Sequence, residues 1–145
     1  MIYVAQEFEL TVPESFQDRT LNVLMFGAKL PPEFNLVVSR DVIPKGHDLG
    51  YVVDRQIKTI SGSQEKFKMT KEPEKKKFMQ GASQEVDGIE MGMRYKNKGN
   101  IIYQRHLFIN IVAHKLLIFV ATAPSVWDAQ EERTWVDIIS DLKIK

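Results

Sequence analysis

The feature that most constrains the fold is a run of apolar segments separated by very short polar turns. Ile89–Tyr95, Ile101–Val112 and Leu116–Thr122 are rich in β-branched and aromatic residues, which favour strands. Lys96-Asn97-Lys98-Gly99-Asn100 joins the first two and is typical of a hairpin turn, and Ala113-His114-Lys115 joins the last two. Strands joined by so few residues pair in antiparallel order. The sequence therefore predicts an antiparallel meander.

Further strands are predicted in the N-terminal part of the chain. Ile2–Val12 alternates apolar and polar residues and is interrupted by Gln6. Leu21–Phe26 and Leu36–Arg40 are short apolar strands, and Gly27–Phe34, with its two prolines, is predicted to be the loop between them. All three strands precede the first predicted helix.

Helical spacing predicts two helices. The first follows the N-cap Asp48 and ends at Ser61-Gly62-Ser63, and the second runs from about Ser125 to Leu142. Lys66–Met69 is a weak strand, and Glu72–Lys77, which contains Pro73, is predicted to be an exposed loop or edge. The expected fold is one α+β domain over residues 1–145, an antiparallel β-sheet with two main helices packed on it.

The predicted strands are apolar on both sides, which raises the question of what covers the sheet. Two helices of about 10 Å width cover most of one face of a six- or seven-stranded sheet and little of the other. Leu24 and Phe26 are apolar on one side, and Leu21, Val23 and Met25 on the other. A loop of the same chain, a second subunit or a ligand is expected to cover the second face.

Two glutamines lie among apolar residues. Gln56 is one helical turn from Val52 and from Ile60, and Gln104 lies on the strand Ile101–Val112. An amide offers a donor and an acceptor. Such a glutamine is either satisfied within the core or hydrogen-bonded to a bound segment, and the sequence leaves both interpretations open.

Composition and motifs argue against several classes of function. There are 20 Lys and Arg against 19 Asp and Glu, so a surface devoted to nucleic acid is not expected. The chain has no cysteine. His47, His106 and His114 show no ligand spacing, and no nucleotide or hydrolase motif is present, so we expect no metal, no cofactor and no enzyme activity. The lysines of Lys66–Lys77 are read as a solvated edge rather than as a patch for phosphate or an acidic partner.

No targeting or spanning segment is expected. Met1–Leu10 lacks the basic start and apolar run of a signal peptide. The longest apolar stretch, Leu107–Ala123, is interrupted by Asn110, His114 and Lys115 and is too short to span a bilayer. We therefore expect a soluble, cytoplasmic protein without stable membrane insertion.

Several stretches resemble one known family over nearly the whole chain. The most specific are Phe16-Gln17-Asp18-Arg19-Thr20-Leu21-Asn22-Val23-Leu24 and Phe34-Asn35-Leu36-Val37-Val38-Ser39-Arg40-Asp41, accompanied by Gln56, Tyr103-Gln104-Arg105 and Ala121-Thr122-Ala123-Pro124. Together they resemble the DcrB-related family and, within it, the Eag-type chaperones of bacterial type VI secretion. The lipoprotein branch of that family needs a lipobox cysteine, so the absence of cysteine favours the chaperone branch.

The resemblance implies a Mog1/PsbP-like fold and a claw-shaped homodimer. It implies a protein that shields the N-terminal transmembrane helices of a PAAR-containing type VI effector and aids loading onto the VgrG spike through that effector. The groove residues it implies are Leu21, Val23, Val38, Gln56, Ile60 and Gln104. The apolar members would cover the helices, and the glutamines would hydrogen-bond their polar groups.

Two other function classes stay open from the residues themselves. A generic Mog1/PsbP-like interaction module without transmembrane-segment binding needs a polar exposed face. A small hydrolase or transferase needs a pocket with converging titratable groups, and the sequence nominates none.

Overall fold

The computed structural model describes residues 1–4, 7–17, 19–26 and 34–145. The strands are β1 (Ile2–Val4), β2 (Glu9–Thr11), β3 (Asn22–Phe26), β4 (Phe34–Val42), β5 (Glu65–Gln80), β6 (Gln84–Asn97), β7 (Asn100–Ile111) and β8 (Lys115–Ala123). The helices are α1 (Leu49–Ser63) and α2 (Ala129–Ser140), and a 3-10 turn spans Val112–His114.

Six strands form one antiparallel sheet in the order β3-β4-β8-β7-β6-β5. The predicted meander is its centre, where β6, β7 and β8 pair in sequence. Lys98 and Gly99 form the β6–β7 turn with φ of 50° and 86°, the left-handed values that a two-residue hairpin turn requires. The predicted α+β fold, an antiparallel sheet with two helices, is confirmed.

The first predicted strand, Ile2–Val12, is wrong as one element. Its two ends are the short strands β1 and β2, which pair with each other in a separate two-stranded sheet. The Val12 amide donates to the Met1 carbonyl at 2.8 Å, so the chain has reversed direction between them. The predicted break at Gln6 lies outside the described residues.

The charged segment Glu72–Lys77 is a strand rather than a loop. It belongs to β5, a 16-residue strand at the edge of the sheet that also contains Lys66–Met69. Pro73 is tolerated because an edge strand need not donate every amide to a neighbour, and the pairing with β6 shifts register on either side of Lys71. The predicted edge position is confirmed.

The other boundaries follow the predictions with small shifts. Asp48 caps α1 by accepting from the Tyr51 amide at 2.9 Å. The last helix begins at Ala129, later than expected, because Asp128 and Glu131 form a capping box that defines its first turn. Phe34 opens β4 instead of ending the predicted loop, and residues 27–33 of that loop lie outside the described residues.

The two helices lie on opposite faces of the sheet, so the expectation that both cover one face is wrong. Leu49, Val52 and Val53 of α1 pack with Met91, Met93 and Phe108. Trp135 of α2 packs with Leu107, Ile109 and Phe119. Because neighbouring residues of a strand point to opposite faces, the doubly apolar strands are explained by one helix on each side.

Candidate functional site

The edge strand β3 exposes apolar side chains on the face that carries α1. Val23 and Met25 are 60% and 54% exposed and pair with Val37 and Asn35 of β4. Leu21, which precedes the strand, is 59% exposed, and the strand alternation continues its position on the side of Val23. Natural edge strands are usually protected by charge, so this exposed apolar row is a candidate binding surface.

The row continues inward over a half-buried floor. Val37 pairs with both Val23 and Val120, and both of the inner valines are half-buried. Helix α1 packs mainly against β5, β6 and β7, and the cluster beneath it includes Leu116 and Ile118 of β8, so the helix cover of the described residues decreases toward β4 and β3. We call the surface formed by Leu21, Val23, Met25, Val37 and Val120 the open face.

Helix α1 borders the open face and carries two of the predicted site residues. Ile60 packs against the cluster under α1, and Gln56 is half-buried one turn before it. Both belong to the helix stripe that begins with the buried Val52 and Val53.

Gln104 lies on the same face, but its amide is engaged within the sheet. Its Nε2 donates to Thr122 Oγ1 at 3.1 Å, and its Oε1 is 2.8 Å from His106 Nε2. Of the two interpretations of this glutamine, the geometry matches the one in which the protein itself satisfies the amide. Its partners are side chains rather than backbone.

His106 explains the orientation of that amide. Burial lowers the pKa of His106 to about 4, so the ring is neutral near pH 7. The Gln104 oxygen can accept only if the proton is on Nε2, which leaves Nδ1 as a buried acceptor without a partner among the described residues. A single histidine in an apolar strand gives no sequence signal that its ring will donate to a neighbouring glutamine.

Polar side chains form a row across the face at the level of Gln104. The register aligns Asn35 of β4 with Thr122 of β8, and Thr122 with Gln104 of β7. The Oδ1 of Asn35 is buried and has no hydrogen-bond partner among the residues that the structure describes. Burial raises the pKa of Tyr95 beside this row, and a hydrogen bond with Gln104 lowers it in part. The face is thus apolar with one polar line through it.

Val38 is not with the other predicted site residues. It pairs with Asn22 and Phe119 and packs against the α2-side cluster, on the opposite face of β4. The strand alternation puts its neighbour Val37 on the open face instead, so the predicted register is shifted by one residue at this strand.

The α2 face contains a polar cluster that sequence reasoning missed. Glu90 is 3% exposed and accepts from Trp135 Nε1 at 2.9 Å. Its carboxylate oxygens lie 3.5 Å from Arg105, 3.6 Å from Lys71 and 3.3 Å from Lys76. Two lysines of the predicted solvated edge therefore compensate a buried charge. The sequence signal that could have indicated this buried carboxylate is the position of Glu90 between the apolar residues Ile89 and Met91 of a strand.

Neither a metal site nor a spanning helix is found in the described part of the chain. No group of three or more His, Asp or Glu side chains there has metal-binding geometry. Among the same residues, no helix is long and apolar enough to cross a membrane.

Comparisons with known proteins agree with this architecture. A crystal structure of the Pseudomonas aeruginosa protein PA94, described as a protein of unknown function, superposes with a TM-score of 0.75. It is 20% identical, and the match covers 98% of this chain and 94% of that one. No curated protein matches the chain. The family model of DcrB matches residues 7–141. The chain therefore belongs to the DcrB family.

Proposed function

We propose that this protein is a cytoplasmic chaperone for a type VI secretion effector, and that it binds the effector's N-terminal transmembrane helices on the open face. Membership of the DcrB family and the Eag-type residues described above support this proposal. In this role the protein keeps the helices shielded from water until the effector is loaded onto the VgrG spike through its PAAR domain.

The observation that carries the proposal is the exposed apolar row of β3, continuous with the floor of Val37 and Val120. The three strands β3, β4 and β8 span about 10 Å from first to last, since neighbouring strands lie about 4.8 Å apart. That width matches one helix of about 10 Å diameter. The uncovered part of the face therefore suits a single apolar helix lying against the side of α1.

The dimensions also favour two copies acting together. A transmembrane helix of about 20 residues is about 30 Å long, whereas a five-residue strand such as β3 spans about 17 Å. One open face therefore covers about half of such a helix. A claw-shaped homodimer supplies two such faces, which together are enough for one whole helix.

The polar row gives the surface a second property. A wholly apolar groove binds any hydrophobic segment, whereas a groove that also contains hydroxyl and amide groups favours helices that carry matching polar groups. Gln56 is half-buried at the border and Thr122 at the floor, so both are placed to meet such groups. This mixture keeps binding selective and releasable.

The test is co-expression with the effector's N-terminal segment, followed by pull-down and size measurement. We expect a soluble complex that forms with the segment containing the transmembrane helices and fails when those helices are deleted. A segment that stays soluble without this protein, or that binds equally well without its helices, contradicts the proposal and favours an interaction module that does not recognise transmembrane segments.

Matched variants on one strand locate the interaction. Val23→Asp adds a charge to the open face, and Leu24→Asp adds the same charge to the opposite face, where Leu24 is similarly exposed. We expect Val23→Asp to weaken capture of the segment at least about tenfold, because burying an unpaired carboxylate under the bound helix costs well over 1.4 kcal/mol. Leu24→Asp is expected to leave capture unchanged, and equal losses in both variants would exclude the open face as the binding surface.

A further inference from the structure

The two sequence stretches most specific for the resemblance meet at one place, away from the open face. Arg40 Nη1 donates to Asn22 Oδ1 at 2.8 Å and to the Thr20 carbonyl at 3.4 Å. Arg19 Nη1 lies 3.7 Å from Asp41 Oδ1. These contacts bring together segments about twenty residues apart, and the proposed groove on the α1 side uses none of them.

Arg19, Arg40 and Asp41 of this cluster line a cavity of about 730 Å³, within the size range of small-ligand sites, at the end of the sheet. Lys115 lines it beside Arg19 and Arg40, and Leu117 and Val42 form part of its apolar wall. Arg40 shares the α2 face of β4 with Val38, whose side chain packs against the α2-side cluster. We call this space the basic cavity.

Among the described residues that line the cavity, positive charges outnumber negative ones. The guanidinium of Arg40 donates to two uncharged oxygens, the Thr20 carbonyl and Asn22 Oδ1. These hydrogen bonds orient the side chain but do not neutralise its positive charge. Lys115 has no ion-pair partner among the described residues, and the pair of Arg19 with Asp41 is largely exposed and therefore weak. Of the described residues that line the cavity, Arg19, Arg40 and Lys115 are cations and Asp41 is the one carboxylate.

The walls indicate which anion fits. The cavity combines cations with the apolar side chains of Val42, Leu117 and Ile111, and no aromatic residue lines it for base stacking. Guanidinium groups bind carboxylates through paired, charge-assisted hydrogen bonds. A carboxylate side chain with apolar neighbours satisfies both the cations and the wall.

We propose that the basic cavity is a docking site for an acidic segment of a partner protein, in which an Asp or Glu side chain reaches Arg40 and Lys115 while flanking apolar residues contact Leu117 and Val42. The site lies outside the open face, so its failure and the failure of the chaperone proposal are separate results.

The probe is an acetylated and amidated hexapeptide of alternating Leu and Glu, titrated into the full chain and followed by backbone amide shifts. We expect amide shifts at residues 40–42 and 111–117. A control peptide with Gln in place of each Glu, the Leu-Gln peptide, is expected to bind at least about tenfold more weakly, because its charge-assisted hydrogen bonds are lost. Raising sodium chloride from about 0.05 M to about 0.5 M is expected to weaken binding several-fold.

Lys115→Gln is the decisive variant, because the Lys115 ammonium makes no ion pair among the described residues and its loss should not disturb the fold. We expect it to weaken peptide binding about fivefold, and we expect Arg40→Gln to weaken it more, because a guanidinium can donate two hydrogen bonds to one carboxylate. Lys75→Gln on β5 is the control and is expected to have no effect, because Lys75 is exposed and outside the cavity.

Three outcomes overturn the proposal. Equal shifts with the Leu-Gln peptide show that the carboxylate is not recognised, and equal losses from Lys75→Gln and Lys115→Gln show a nonspecific charge effect. Inorganic phosphate that binds the same residues more tightly than the peptide shows a phosphate site instead of an acidic docking site.

Discussion

The two faces of the sheet differ in how the helix on each face is held and in the polar groups that each face buries. On the α2 face, the ring of Trp135 is 1% exposed and its indole N–H is bound to the buried Glu90. On the α1 face, the helix covers β5 to β7, while Val23 and Met25 of β3 stay exposed. The comparison teaches that an apolar strand pattern identifies a sheet but does not tell whether its own chain covers it. A polar anchor fixes helix α2 on its face, but Leu24 of β3 is 56% exposed there, so the edge strand is uncovered on both sides.

The difference is sharpest in the polar groups that each face buries. Glu90 is compensated by three cations and one indole N–H. His106 and Asn35, on the other face, each keep one buried polar atom without a partner in the described part of the chain. Unpaired buried groups cost free energy, so the α1 face is the less optimised of the two. A surface that must accept and release a segment is expected to be built in this way.

The largest expected effect is the loss of the anchor of α2. Trp135→Ala removes a fully buried aromatic side chain and its hydrogen bond to Glu90, so we expect the free energy of unfolding to fall by about 3–5 kcal/mol. Urea denaturation measures it. The neighbouring Val136→Ala, at an exposed position, should change stability by less than about 0.5 kcal/mol. A similar small loss for Trp135→Ala would break the contrast between the faces.

A pH titration tests the other face. The native pKa of His106 is about 4 and its ordinary value is 6.5, so the unfolded chain takes up a proton that the folded protein does not between these values. The contribution of the neutral His106 ring to the free energy of unfolding is therefore complete above about pH 6.5. It is lost as the pH falls toward about 4, and the loss is at most about 3 kcal/mol. Unfolding of His106→Asn across this range isolates it, since carboxylates titrate in both proteins. Identical pH profiles would contradict the buried neutral ring.

The buried carboxylate gives the next effect. Glu90→Gln keeps the shape and the acceptor for Trp135 but leaves Lys71, Lys76 and Arg105 without their shared anion, so we expect a loss of about 2 kcal/mol in the free energy of unfolding. Glu85→Gln is the matched control, because Glu85 forms an exposed pair worth less than about 1 kcal/mol. Equal losses measured by chemical denaturation would show that Glu90 is compensated no better than a surface residue.

The smallest effect concerns the polar row. Thr122→Val removes the acceptor for Gln104 Nε2 at nearly the same volume, and we expect a loss of about 1 kcal/mol. Thr134→Val, whose hydroxyl bonds the backbone within α2, is a comparison on the other side of the sheet. If Thr122→Val proved stabilising, the row would be a site kept for binding at the expense of stability, which would sharpen the difference between the faces.

Much of the fold was predictable because its signals are local. The hairpin turn at Lys98 and Gly99 and the N-cap Asp48 each act within a few residues, and both are confirmed. Ile2–Val12 was misread because alternation cannot show where a strand folds back on itself. For Glu72–Lys77 the alternative of an exposed edge is confirmed and that of a loop is wrong, and only the tertiary structure shows that Lys76 reaches the buried Glu90.

Of the candidate site, Leu21, Val23, Gln56, Ile60 and Gln104 lie on one face and Val38 on the other. A shift of one residue reverses the face of a strand side chain, and a short apolar run such as Leu36-Val37-Val38 gives no sequence evidence for the register.

The sequence by itself determined the α+β class, the meander and the family, because these depend on local spacing and on residue identity. Tertiary structure alone decided that the helices lie on opposite faces, that Gln104 is held by Thr122 and His106, and that the edge of β3 stays exposed. These properties depend on contacts between residues far apart in the chain. The strand register and the packing of the helices on the sheet decide which side chains are buried and which are hydrogen-bonded, and neither can be deduced from residues that are neighbours in sequence.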